Sequence, residues 1–127
     1  MSTTSSDEAT PPAILFRDEA LVIVNKPAGL VVHRGWAREA FYAMTLVRDL
    51  VGQHVHPVHR LDRPTSGALV FALRREDVAT VQAAFAAQKV HKRYLALVRG
   101  IPEAEGLIDH AIAREKGDER RSAQTRF

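Results

Sequence analysis

The 127-residue sequence contains no cysteine, which removes disulfides and thiolate-bound zinc from consideration and suits a reducing compartment. No stretch approaches the ~18 consecutive apolar residues that begin to suggest a membrane span. The N-terminus also lacks the basic-then-apolar pattern of a secretory signal, so a soluble, cytoplasmic protein is the expectation. No internal repeat is visible, and neither sign of charge dominates. Lys and Arg number 18 against 15 Asp and Glu, a formal net charge of +3, which permits nucleic-acid binding without demanding it. Hydrophobic residues make up 46% and charged residues 26%, the balance of a globular body with room for one small domain.

The placement of charge says more than its sum. Arg60, Arg63, Arg74 and Arg75 form one basic group, and Lys89, His91, Lys92 and Arg93 a second. Either group, taken alone, also fits an ordinary solvated face.

Residues 1–12 are rich in Ser and Thr and end in Pro11-Pro12. Such a composition cannot bury enough apolar surface to order itself and predicts a flexible leader. From Ile14 the pattern changes. Ile14-Leu15-Phe16 and Leu21-Val22-Ile23-Val24 flank the turn formers Asp18-Glu19 and predict a hairpin. Lys26-Pro27-Ala28-Gly29 breaks the second strand, and Leu30 to His33 predicts a further extended run. Leu46, Val47, Leu50 and Val51 recur at helical spacing up to Gly52. Ser66 to Leu73 predicts a buried strand, Glu76 to Gln88 a helix with one apolar face, Tyr94 to Val98 another strand, and Leu107 to Ile112 one more. Glu115 to Arg121 alternates in charge and predicts a loop or frayed end. Short strands with inserted helices argue for an α+β domain with a mixed, mainly antiparallel sheet rather than a regular βαβ wind.

The chemistry-bearing stretch is His59-Arg60-Leu61-Asp62-Arg63-Pro64-Thr65-Ser66-Gly67. It sets one carboxylate between two arginines on a loop that turns into an apolar strand. A carboxylate presented this way can act as nucleophile or electrostatic stabiliser at a sugar carbon. The plain alternative is a surface turn whose acid merely pairs with an arginine.

These nine residues closely resemble the HRLD-x-x-TSG signature of the RluA-type pseudouridine synthases. Two flanking segments extend the resemblance. Asn25-Lys26-Pro27-Ala28-Gly29 and the run ending in His33 are similar to the family's Asn-Lys-Pro-x-Gly turn and the strand that follows it, and Lys92-Arg93-Tyr94 with the apolar residues up to Gly100 is similar to the family's second motif. The likeness is nearest to the tRNA pseudouridine-65 synthase branch.

The resemblance implies the pseudouridine synthase catalytic fold and isomerisation of uridine to pseudouridine in RNA, with tRNA as the substrate class. Asp62 falls on the family's catalytic aspartate and Tyr94 on its active-site tyrosine, whose ring can stack on uracil and whose hydroxyl can relay a proton. Arg60 takes the place of the residue that fills the gap left by a base leaving its stack. Lys26, His33, His59, Arg63, Thr65, Lys92 and Arg93 are the implied substrate contacts. With Lys89, the arginines and Lys92 would make RNA binding salt-dependent. The family needs neither a metal nor an organic cofactor, and no membrane partner is implied. Its third motif, Gly-Arg-x-His-Gln-x-Arg, has no counterpart here, so residues 13–127 are expected to form the N-terminal portion of the catalytic domain. A non-catalytic RNA-binding remnant is the alternative reading.

His54-Val55-His56-Pro57-Val58-His59 offers a different chemistry. His-x-His-x-x-His spacing matches one edge of a metallo-β-lactamase-type zinc site, which needs neutral imidazoles converging on one ion. That motif carries an acid immediately before the third histidine, where this sequence has Val58, and only His91 and His110 lie downstream. A metal-dependent hydrolase is accordingly the weakest of the three readings.

Overall fold

A computed structural model describes residues 9–33 and 41–127. The leader expected at residues 1–12 therefore lies largely outside the described residues; of its described end, Pro12 is buried. The chain divides into two compact units, one ending at His91 and the other Lys92–Phe127.

The first unit is a four-stranded antiparallel sheet in the order β1-β2-β4-β3, with two helices. β1 (Ala13–Arg17) and β2 (Leu21–Lys26) form the expected hairpin. Asp18 closes its turn by accepting hydrogen bonds from the Ala20 and Leu21 amides at 2.8 and 2.7 Å, the local side-chain bond that favours Asp in turns. α1 (Ala43–Val51) stops at Gly52, whose φ of 72° is left-handed and whose N–H donates to the Arg48 carbonyl at 2.9 Å. β3 is only His56–Pro57, and β4 (Gly67–Ala72) fills the centre of the sheet. α2 (Arg75–Ala86) ends with Gln88 at φ 56°, its N–H donating to the Phe85 carbonyl and that of Lys89 to the Ala84 carbonyl. This double closure satisfies carbonyls that a helix end leaves without partners.

Alternation along the strands decides where the core lies. Val22 pairs with Phe71 and Val24 with Leu69, and all four are fully buried against Ala43 and Val47 of α1, together with Val32, Val55 and Leu61. Each such side chain contributes roughly 1.5–3 kcal/mol by leaving water. α2 is half-buried at Val78, Val81, Ala84 and Phe85, the apolar face expected of it.

The strand expected at Leu30 to His33 is not one. Val31 makes only an isolated bridge to Tyr42, because the carbonyls of Val31 and Val32 accept from the Ala43 and Met44 amides at 2.8 and 2.9 Å. Those amides begin α1, which lacks a side-chain cap, so the segment's hydrogen bonds go to a helix terminus rather than a sheet.

In the second unit, β5 (Leu107–Asp109) pairs antiparallel with β6 (Gln124–Arg126). The Gly106 and Phe127 backbones exchange two 2.9 Å hydrogen bonds beyond the ladder. The charged run from Glu115 is the connection between these strands, as expected of a loop. The expected strand Tyr94 to Val98 is irregular instead. Its side chains are exposed, with Leu95 and Leu97 fully so. Apolar β-formers become a strand only when a neighbour accepts their hydrogen bonds, and no strand pairs with this segment among the described residues.

Candidate active site

The loop from His59 to Ser66 connects β3 to β4, and its sequence dictates its shape. Leu61 is buried in the core cluster while Asp62 on its far side is exposed. The Thr65 amide donates to the Asp62 carbonyl at 2.9 Å, closing a turn around Arg63-Pro64. The result is one outward carboxylate on a tight turn with an apolar anchor beneath it.

Lys26 holds that turn from below. It is fully buried, and its Nζ donates to the carbonyls of Pro27, Leu30 and Arg63 at 3.0, 2.7 and 3.1 Å. Three acceptors use all three ammonium hydrogens, the condition under which a buried charge is tolerated. The Gly29 amide donates to the same Arg63 carbonyl at 2.7 Å. Gly29 has φ 90°, a conformation that glycine adopts without steric cost. Burial pushes the Lys26 ammonium below its ordinary pKa, and the nearby Asp62 carboxylate partly opposes that shift. The expected substrate contact by Lys26 is thus replaced by a tether: its head group faces backbone carbonyls and is shielded from solvent.

The arginines behave as expected of exposed groups. Arg60 Nη2 lies 3.9 Å from Asp62 Oδ1, with the two side chains 63% and 78% accessible. At that exposure the pair adds little to stability, and both groups are available to a ligand. Arg63 is exposed and Thr65 half-buried. His33 stands exposed at the end of the segment that begins α1. Lys92, Arg93 and Tyr94 belong to the second unit, all exposed.

His59 is engaged inside the first unit. Its Nε2 accepts from the Val70 amide at 2.9 Å, and its ring stacks on Phe85 at 4.6 Å with 22° between planes. His54 and His56 meet edge to face at 5.0 Å. With Nε2 of His59 occupied by an amide, the triplet does not converge as zinc ligands, and the described residues hold no group of three or more His, Cys, Asp or Glu placed to bind a metal. Two contacts around this turn that the sequence did not single out are made by Gly29, through its amide, and Phe85, through its ring. The Lys-Pro-Ala-Gly turn was a signal for the first, and nothing local marks the second.

The family model described as RNA pseudouridylate synthase matches residues 20–127. The chain belongs to the RNA pseudouridylate synthase family. Curated relatives within it are named tRNA pseudouridine synthase C. That of Vibrio parahaemolyticus is 52% identical over 104 residues, covering 80% of this chain and 42% of the relative. That of Haemophilus ducreyi is 50% identical over 101 residues, covering 78% and 42%. The chain therefore spans less than half the length of these curated relatives. Among solved structures, human RNA pseudouridylate synthase domain containing 1 superposes with a TM-score of 0.74 at 26% identity, over 91% of this chain and 50% of that one. This family and architecture agree with the resemblance read from the HRLD-type signature, and with the expected α+β class.

Proposed function

We propose that this chain provides the catalytic aspartate of an enzyme that isomerises uridine to pseudouridine in RNA, with tRNA as substrate. The observation that carries the reading is the exposed Asp62 carboxylate on a turn held by Leu61, Lys26 and Gly29. The names of the curated relatives support the tRNA assignment. Residues 13–127 then correspond to the N-terminal portion of the catalytic domain, consistent with the share of the relatives that they span.

In the reaction the N1–C1′ bond breaks, uracil turns in place, and a C5–C1′ bond forms. C5 gives up its proton and N1 acquires one, so the atoms of the nucleoside are conserved. Asp62 either attacks C1′ or assists elimination at the sugar. Preorganisation favours both routes, because a turn backbone already held in position spends no binding energy on being ordered. Arg60, beside Asp62, fills the gap left by the flipped base, which costs a few kcal/mol to extrude. Arg63, Thr65 and His33 contact RNA, as do Lys92 and Arg93. Tyr94 stacks on the uracil and relays a proton.

Release of tritium from tRNA labelled at uridine C5 tests the assignment, comparing the chain with Asp62→Asn. Release by the unmutated protein alone is the expected result. Equal release by both would remove Asp62 from the chemistry, and tRNA binding without release by either would make the chain an RNA-binding module.

A further inference from the structure

β3 stops early. His56 pairs with Ala72 and Pro57 with Phe71, and there the strand ends. Amides two residues apart on a strand face the same edge, so the Val70 N–H points toward the side of β4 that β3 has just vacated. A continued strand would offer a backbone carbonyl. The His59 imidazole nitrogen stands there instead, 2.9 Å from the Val70 amide. Val70 is half-buried, where a lost acceptor is costly because little water replaces it. The other side of the ring is occupied by Phe85 of α2.

We propose that His59 is a positioning residue: its unprotonated Nε2 replaces the missing strand carbonyl and staples the start of the Asp62 turn to β4. The staple sits three residues before Asp62, and the Lys26 and Gly29 bonds to Arg63 sit one residue after it. With Leu61 buried between them, the aspartate is fixed from both sides. The imidazole is then a structural acceptor and not an RNA contact. An acceptor role specifies the neutral ring with its proton on Nδ1.

The inference rests on the proposed function only in calling this turn catalytic, so its test is made on the free protein by NMR. At neutral pH, the His59 Nε2 should show the ¹⁵N shift of an unprotonated, hydrogen-bonded nitrogen with coupling to the Val70 amide. His59→Phe keeps a ring against Phe85 and removes the acceptor, whereas His59→Gln supplies a carbonyl oxygen at similar reach. In His59→Phe, exchange of the Val70 amide should accelerate roughly tenfold or more, the scale of one lost part-buried hydrogen bond. Backbone order parameters over residues 60–65 should fall from about 0.85 toward 0.6 in the same variant. His59→Gln should restore both. A protonated Nε2 in the unmutated chain would overturn the proposal, and that measurement needs no variant. So would a folded His59→Phe with an ordered turn, or a His59→Gln indistinguishable from His59→Phe. Tritium release decides the uridine chemistry separately, so the two ideas fail by different readings.

Discussion

Lys26 combines a full charge with complete burial, and its three carbonyl partners explain how. Replacing it by methionine keeps most of the length of the side chain, takes the ammonium from the Pro27 and Leu30 carbonyls, and leaves the Arg63 carbonyl with the Gly29 amide alone. Each lost partner costs, while removal of a buried ammonium returns some desolvation energy. The net expectation for Lys26→Met is a loss of about 2–4 kcal/mol, read from the urea midpoint; an unchanged midpoint would mean that the tether does not hold the turn. At this scale the sequence was legible in part. Asp62, Arg60 and Arg63 are exposed where their motif suggested. Lys26 and His59 read as substrate contacts because ammonium and imidazole groups beside a carboxylate suit that chemistry. Lys26 donates to two nearby carbonyls and to that of Arg63, 37 residues away, and His59 accepts from an amide 11 residues away; no local pattern encodes a bond to a distant main chain.

The hairpin turn shows how one element depends on pH. Hydrogen bonds from the Leu21 and Ala20 amides hold the Asp18 carboxyl below its ordinary pKa of 3.8. A carboxyl whose folded pKa is depressed contributes stability above its unfolded pKa and loses it as pH falls through the folded value. Asp18→Ala should therefore melt at a lower temperature than the unmutated chain near pH 6, and the gap should close in acid below 3.8. A gap independent of pH would assign the effect to something other than the ionised carboxylate. The hairpin itself, α1, β4 and α2 were all legible, since period-2 and period-3.6 patterns report which face is buried. Leu30 to His33 and Tyr94 to Val98 misled for one shared reason: apolar, β-branched residues advertise a strand but not the partner that completes it. β6 misled in the opposite direction. Its Gln124-Thr125-Arg126 is polar and exposed, and pairing with β5 alone makes it a strand.

At the scale of the whole chain, no strand among the described residues pairs with the outer side of β1 in the four-stranded sheet. Ile14, Leu15 and Phe16 on it are 40%, 57% and 50% accessible. Unpaired amides beside exposed apolar side chains are a template for another strand. The chain is expected to self-associate with rising concentration, and Leu15→Lys to suppress this, as natural edge strands do with lysine. Sedimentation velocity across a concentration series checks it, and a strictly monomeric unmutated chain would contradict it. The Lys26 tether has a consequence for how the site can change. Its ammonium grips the main chain at positions 27, 30 and 63 and ignores what those residues carry as side chains. The grip at position 63 therefore depends on the backbone alone, whereas at position 26 it depends on the side chain itself and leaves no such latitude.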